Sequence, residues 1–365
     1  MTHDRLFEPF TWRSLTLANR IVMAPMTRSF SPNGLPTEDV VAYYRRRAEG
    51  GVGLIITEGT SVNRPGARND PAVPHFHGLA LPLWKRTLEG VHAVGGKIAP
   101  QLWHVGAARN RKLPAWQPGP IDSPSGIGLS GDRVGEPMTE NDIADTFAAY
   151  SEAARMARQL GFDAVELHGA HGYLIDEFFF DVTNRRTDRW GGETVAQRSR
   201  FAAQLVREVR TAIGPDFPLI LRISQWKSAH YDVKLARTPG EMGQWLEPLV
   251  EAGVDIFHCS QRRFWEAEFP GSDLNFAGWV RQVTGRPAIT VGSVGLTGDF
   301  IAGTRGESSR PASLNELMRR LDRGDFDLVA VGRALIVNSD WPRLIRESRT
   351  AELKDFDPAA LTTLH

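Results

Sequence analysis

The run His168-Gly-Ala-His171-Gly-Tyr173 puts two imidazoles and a phenol within six positions. A neutral imidazole N–H can hold an oxygen on which negative charge grows, and a phenol can hand over a proton. A lone histidine is more often a satisfied structural group than a catalyst. Two of them with a tyrosine form a set able to grip an oxygen and protonate its neighbour. The spacing His-x-x-His also raises a metal pair, but no third ligand is evident and the usual zinc patterns are absent, so no metal is expected. A nucleophilic serine is poorly supported, because Gly292-Ser293-Val294-Gly295 lacks the Gly-x-Ser-x-Gly spacing.

Other residues bring different chemistry. Val291-Gly292-Ser293-Val294-Gly295 and Val331-Gly332-Arg333 each follow a short apolar run. Glycine lets backbone N–H groups approach a phosphate closely, and Arg333 adds a fork-shaped cation. The alternative is that these glycines only make turns and Arg333 is a surface charge. Arg222 ends the run Pro218-Leu-Ile-Leu-Arg222-Ile223, where a charge needs a partner. That partner is either a structural carboxylate or an anionic ring or carboxylate of a ligand. Gln101 ends a similar run, and its amide both donates and accepts, which suits the edge of a heterocycle.

These groups must be carried by a repeating scaffold. Short apolar runs at residues 20–24, 53–57, 97–102, 163–167, 218–223, 254–258, 288–291 and 327–331 read as buried parallel strands. Helical stretches alternate with them at 38–49, 79–94, 140–160, 195–213, 239–252, 273–284, 313–323 and 340–347. Thr37 is the expected N-cap of the first, and Gly50, Gly95, Gly161, Gly214, Gly253, Gly285 and Gly324 are expected C-terminal stops. Eight such pairs predict an α/β fold, a (β/α)8 TIM barrel. An N-terminal hairpin within residues 6–19 would plug its base. Long loops are expected after the third strand (105–137), the fifth (226–237) and the seventh, where residues 302–312 form an insert. In a barrel the C-terminal strand ends face the site. Those ends read Thr27, Glu58-Gly59, Gln101 with Trp103-His104, His168, Arg222, Cys259-Ser260, Gly292-Ser293 and Gly332-Arg333. Apolar core packing explains the runs but not the polar groups that end every one of them.

The bulk composition excludes several classes. The 365 residues suit one barrel over 1–365, a fold that typically takes about 250 residues and extends past 400 with insertions. Lys plus Arg and Asp plus Glu both number 43, so no bulk charge draws nucleic acid or an anionic membrane. The one cysteine, Cys259, cannot form an internal disulfide, and it reads as a small core residue. No signal peptide is evident and no apolar stretch approaches the ~20 residues of a membrane span, so a cytoplasmic location is expected.

The ordered series of motifs resembles the Old Yellow Enzyme family of FMN-dependent ene-reductases over nearly the whole length. The matching pieces begin with Asn19-Arg20-Ile-Val-Met-Ala24-Pro25-Met26-Thr27-Arg28, Glu58-Gly59-Thr60 and Gln101-Leu-Trp103-His104. The most specific is Glu166-Leu-His168-Gly-Ala-His171-Gly-Tyr173-Leu-Ile-Asp-Glu177-Phe. Asn184-Arg-Arg-Thr187-Asp188-Arg-Trp-Gly191-Gly192, Arg198-Ser-Arg200-Phe201, Leu221-Arg222-Ile-Ser224 and Val331-Gly332-Arg333-Ala334 follow.

The resemblance implies FMN as bound cofactor and NADH or NADPH as hydride donor. It implies that Ala24, Pro25, Met26 and Thr27 run under the flavin. Gly59 and Gln101 would meet its pyrimidine side, Arg222 its N1–C2 region, and Gly292, Ser293, Gly295, Gly332 and Arg333 its phosphate. By the same resemblance His168 and His171 hold the carbonyl oxygen of an electron-poor alkene, and Tyr173 protonates the carbon that receives no hydride. The substrates implied are enones, with nitroalkenes and maleimides as further candidates. Trp103 would line the substrate pocket. Phe264 and Trp265 either line it or pack a neighbouring loop. Relatives are often dimers, and Arg343 or Arg346 would reach a neighbour in a homodimer. The chain departs from the family in combining Thr27 with a His-x-x-His pair, in carrying Ser29 where an aromatic residue is common, in residues 258–269 and in the 302–312 insert. Alternatives within FMN barrels include a dienoyl thioester reductase, and outside enzymes a flavin-binding sensor. A phosphate-binding isomerase or aldolase without flavin is a weaker reading.

Overall fold

The computed structural model describes residues 4–108, 113, 116, 118–228 and 230–365. Residues 109–112, 114, 115 and 117 of the expected third loop, and residue 229 of the fifth, lie outside the described residues. β1 (Phe10–Trp12) and β2 (Leu15–Leu17) make an antiparallel hairpin. β3 (Ile21–Met23), β4 (Leu54–Ser61), β5 (Ile98–Trp103), β6 (Val165–His171), β7 (Leu219–Lys227), β8 (Ile256–Ser260), β9 (Ala288–Val291) and β10 (Leu328–Val331) form a closed parallel barrel in which β10 returns to pair with β3. The hairpin buries Phe10, Leu15 and Leu17 against inward-facing Val22, Leu54, Ile56, Ala99, Ala164, Ile220, Ile256, Ile289, Leu328 and Ala330, and so plugs the base as expected.

The helices are α1 (Glu38–Glu49), α2 (Ala80–His92), α3 (Glu140–Leu160), α4 (Leu174–Phe179), α5 (Val195–Arg198), α6 (Arg200–Ile213), α7 (Pro239–Ala252), α8 (Phe276–Thr284), α9 (Phe300–Thr304), α10 (Asn315–Arg323), α11 (Arg333–Val337) and α12 (Trp341–Arg346). α3 starts on a reciprocal cap in which the Thr139 hydroxyl accepts from Asp142 N–H while the Asp142 carboxylate accepts from Thr139 N–H. Several details differ from the sequence reading. Thr37 precedes α1 but its hydroxyl makes no cap bond. Gly50 stays right-handed, and its neighbour Gly51 takes the left-handed turn at φ +95°. The 195–213 stretch breaks at Ser199, whose hydroxyl turns back to the Val195 and Trp245 carbonyls. The helix expected from 273 starts after Asn275, whose side chain caps Gly278 N–H. α4, α9 and α11 are each six residues or shorter, too short for a periodic signal. Among the described residues no helix is long and apolar enough to cross a membrane. Arg343 pairs with Asp340 at 2.8 Å, and Arg346 lies 4.7 Å over the Phe7 ring.

Strand alternation turns this scaffold into a layered interior. The inward positions Ala99, Ala164, Ile220 and Ile256 belong to the apolar floor. Two residues further along β5, β6, β7 and β8, the same face carries Gln101, Glu166, Arg222 and His258, all buried. Two residues further again it carries Trp103, His168, Ser224 and Ser260. β4, β6 and β7 run past their expected ends to Ser61, His171 and Lys227, with register shifts after Ile56 and Gly169. The polar groups are therefore set in ladder-bonded backbone rather than in loose loops.

Arg47 ties this end of the barrel together from outside. It is wholly buried, donates to the carbonyls of Tyr43, Leu335 and Ile336, and lies 3.6 Å over the Tyr43 ring. Burial lowers its pKa to about 10, so it stays charged at neutral pH. It thereby fixes α11, the helix that begins at Arg333, against α1. Arg47→Met leaves those carbonyls without their donor and is expected to cost about 3 kcal/mol in chemical denaturation. A loss below about 1 kcal/mol would show that other donors replace it.

Candidate active site

The polar layer is organised around one carboxylate. Glu166 accepts from Gln101 Nε2 at 2.7 Å and pairs with His258 Nδ1 at 2.7 Å. Arg222 sits between the two histidine-bearing strands, in register with His168 on β6 and His258 on β8. Its guanidinium is only 7% exposed and makes no hydrogen bond to a protein acceptor among the described residues, with Nε fully buried and unpartnered. Burial lowers its pKa and Glu166 pushes it back up.

Above this layer stand the three residues first picked out. His168, Tyr173 and Trp103 form an edge-to-face cluster. Tyr173 lies 5.0 Å from the His168 ring and 4.9 Å from Trp103, at 78° and 82°. Gly59 makes room for this, because a Cβ there would fall 2.7 Å from Trp103 Cε3. His171 is perpendicular to His168 at 5.1 Å and stacks on Trp226 at 4.4 Å. Its backbone is left-handed, φ +66°, a conformation unusual outside glycine. Four bonds hold it there. Its N–H donates to Ser224 Oγ, its carbonyl accepts from Ser228 N–H and Oγ, and Nε2 meets Ser260 Oγ at 2.7 Å. Burial, followed by the Arg222 charge, drives the pKa of both histidines well down, so both are neutral. Burial raises the Tyr173 pKa and Arg222 offsets part of this, so the phenol keeps its proton.

The turn into α4 is set from below. Asp176 accepts from Gly172 N–H at 2.7 Å and from Lys227 Nζ at 2.8 Å, both side chains of that ion pair being fully buried. The turn carrying Tyr173 is thus tied to the end of β7.

On the opposite rim, Ala24 N–H continues the ladder to Val331, Pro25 is buried, Met26 is partly exposed and Thr27 is open to solvent. Glu58 accepts from the N–H groups of Arg28 and Ser29 at 2.9 and 3.2 Å and so fixes this segment. At the far side, Gly292 has φ +145° and a Cβ there would fall 2.3 Å from the Gln261 carbonyl. Ser293 is left-handed with its hydroxyl on the Arg262 carbonyl, and Gly295 is left-handed as well. Arg333, directly after Gly332, donates to the Gly298 carbonyl at 2.6 Å and leaves Nη1 buried, with no partner among the described residues. It lies 5.2 Å over Phe356, whose backbone pairs with Ser309. A cation without an acceptor in the barrel axis, a second orphaned guanidinium nitrogen, and a glycine-lined turn between β9 and β10 fit a group with an anionic ring edge and a phosphate.

Phe264 and Trp265 do not join the ring cluster of His168, Tyr173 and Trp103. Phe264 is buried in the outer core, with its carbonyl on Asn275 Nδ2, and Trp265 is 37% exposed. Cys259 is buried, as a small core residue should be. Sequence reasoning missed His258, Trp226 and Lys227 as parts of the site, and treated Glu166, Asp176, Ser224 and Ser260 only as motif or strand-end residues. The signal for the layer was present, since Gln101, Glu166, Arg222 and His258 each stand two residues beyond an apolar inward position. Trp226 and Lys227 were assigned to a loop, because nothing apolar announces that β7 continues.

Comparison with known proteins supports the family and the barrel fold. A family profile described as NADH:flavin oxidoreductase / NADH oxidase family matches residues 5–352. The NADPH dehydrogenase of Halalkalibacterium halodurans is 34% identical over 350 residues, 93% of each chain. The NADH oxidase of Thermoanaerobacter brockii is 32% identical over 97% of this chain, which spans 52% of that longer protein. A structure of morphinone reductase in complex with tetrahydroNAD superposes with a TM-score of 0.79 at 29% identity, covering 98% of this chain and 93% of that one. The Old Yellow Enzyme from Pichia sp. AKU4542 superposes with a TM-score of 0.78 at 25% identity, covering 98% and 90%.

Glu58 makes the rim sensitive to pH. Burial raises its pKa from 4.5 to about 7, against the two backbone donors. A raised carboxyl pKa means the folded state binds the proton more tightly than the unfolded one. Its contribution is full below the unfolded pKa and is lost as pH rises through about 7. Between pH 5 and pH 8 the unfolding free energy of the native protein should fall by up to about 3 kcal/mol more than that of Glu58→Gln. Equal pH slopes in denaturation of the two proteins would place the titration elsewhere.

Proposed function

The chain belongs to the NADH:flavin oxidoreductase / NADH oxidase family, with FMN and NADH or NADPH as its cofactors, and from that premise we propose that it reduces the C=C bond of electron-poor alkenes, enones first among them. The observation that carries this reading is the cluster of neutral His168, neutral His171 and protonated Tyr173 over Arg222, which has no hydrogen-bond acceptor among the described residues. Bound here, FMN would supply the hydride chemistry between nicotinamide and alkene carbon. In this proposal Arg222 and Gln101 hold its pyrimidine edge. Gly292, Ser293, Gly295, Gly332 and Arg333 hold its phosphate, Thr27 and Gly59 border the ring, and the chain works as one FMN-binding unit.

The protein's own residues do the rest. A neutral imidazole donates an N–H to a carbonyl oxygen without adding a full charge to the pocket, and that bond strengthens as charge builds on the oxygen. His168 brings a buried, unpartnered Nδ1. Ser260 occupies His171 Nε2, which leaves Nδ1 to face a substrate. The strained backbone and the Trp226 stack keep that ring from turning away. Tyr173 holds its proton at the hydroxyl until the carbon next to the carbonyl needs one. Trp103 fixes the phenol edge-on and helps exclude water from it.

Tyr173→Phe should slow alkene reduction by about 10²- to 10⁴-fold while leaving reduction by NADH or NADPH nearly unchanged, as read by stopped-flow absorbance in the two half-reactions. Equal losses in both would remove Tyr173 from the role of proton donor. His168→Ala should weaken binding of a phenol or enone by roughly 10- to 100-fold in a flavin-absorbance titration. Unchanged affinity would place the oxygen elsewhere.

A further inference from the structure

His258 is a buried titratable group that the reaction above does not use. It sits in the same inward layer as Arg222, on the adjacent strand and in register with it. Its Nδ1 is 2.7 Å from Glu166 Oε2, and a carboxylate there only accepts, so Nδ1 carries the proton. Nε2 is then a bare lone pair, and it is buried with no partner among the described residues. The charged and titratable groups that act on it are Glu166, His168 and His171 from β6 and Arg222 from β7. Its register partner on β9, Ile289, is apolar.

The charges in this layer are balanced only in one state. Arg222 and Glu166 cancel, and His258 is neutral, its pKa lowered by burial, with Glu166 opposing that and Arg222 adding a smaller push down. A negative charge delivered beside Arg222 leaves the layer one charge short in a medium where unbalanced charge is costly. Glu166 already accepts from both Gln101 and His258, so a proton added there would displace a donor. Arg222 has no site for one, and Gln101 is not basic. His258 Nε2 has a free lone pair and nothing to lose.

Resting on the FMN reading above, we propose that His258 takes up a proton at Nε2 when the flavin gains hydride, and releases it when the hydride leaves. The nicotinamide gives up two electrons and one proton as hydride. The flavin ring gains them together with one negative charge. One proton from water arrives on His258 and restores neutrality to the layer. When the hydride passes to the alkene carbon, the negative charge goes with it onto the substrate, Tyr173 protonates the substrate and regains a proton from water, and His258 returns its own proton to water. The charge that Arg222 attracts is thus compensated through a second residue, one that touches neither nicotinamide nor alkene.

The test is a potentiometric titration of the FMN-loaded enzyme between pH 6 and pH 8. Each proton coupled to a two-electron reduction contributes about 30 mV per pH unit. The native enzyme should show about 60 mV per pH unit, for two protons. His258→Asn keeps an N–H toward Glu166 but cannot take a proton, and its slope should fall to about 30 mV per pH unit. A native slope of about 30 mV per pH unit overturns the proposal. So does a His258→Asn slope that stays at about 60, because the second proton would then reside on the ring itself. Should the variant not fold, redox-difference infrared spectroscopy of the native enzyme with labelled histidine decides. An imidazolium band that appears on reduction supports the proposal, and its absence overturns it. A protein that binds no FMN would instead sink the functional reading, before any slope is measured.

Discussion

Arg222 carries a guanidinium into the barrel axis, where an unsolvated charge is costly, and the residues around it are those that make the charge tolerable. Glu166 supplies the opposite charge from the next strand, without contacting Arg222 closely enough to consume its hydrogen bonds. Gln101 and His258 hold Glu166 on both oxygens. Burial first, and this cation second, keep His168 and His171 neutral, and the cation pulls the Tyr173 hydroxyl back toward its ordinary acidity. Burial and this one charge together set the protonation of His168, His171 and Tyr173. A ligand with an anionic edge completes a set of bonds that the protein leaves open.

Rigidity reaches this layer from several directions. Below lies the apolar floor sealed by the β1–β2 hairpin. To one side the Lys227–Asp176 pair ties the turn before α4 to the end of β7. Breaking such a pair leaves a buried charge uncompensated, so it behaves as a fixed joint. Behind Trp103, the missing side chain of Gly59 determines how far the indole can retreat. His171 keeps a costly backbone conformation only because two serines, Ser224 and Ser228, satisfy its N–H and carbonyl. Precision in the mouth is thus produced by residues that never meet a substrate.

Much of this could be read from the amino-acid sequence, and the limits have physical causes. All eight barrel strands were visible as short apolar runs, because buried parallel strands are apolar on both faces. Their C-terminal ends were harder. β6 and β7 continue through Gly169, His171, Ser224 and Lys227, residues whose polarity resembles a loop and whose ladder bonds depend on neighbours far away in the chain. The ring cluster of His168, His171 and Tyr173 stood out by residue type and spacing. Its supports did not, because His258 and Glu166 meet only when β6 and β8 flank β7. Nor did spacing reveal that Phe264 turns into the outer core while Trp265 turns outward. The packing of a loop onto α8 and α10 decides that.

Arg333 rests on Phe356, and Phe356 is stitched to Ser309 in the insert that follows β9, while the Arg28 guanidinium beside Thr27 grips the carbonyls of Ala360, Leu361 and Thr363. Pieces more than 300 residues apart in sequence therefore border one binding region. A ligand held there gains affinity only when all of these pieces are in place, and by mass action its binding free energy is added to the cohesion of the whole shell. With FMN held as proposed, its retention and the melting of the last segment would be coupled, so slow loss of bound cofactor on storage would be an early sign that this far end of the chain has begun to peel away.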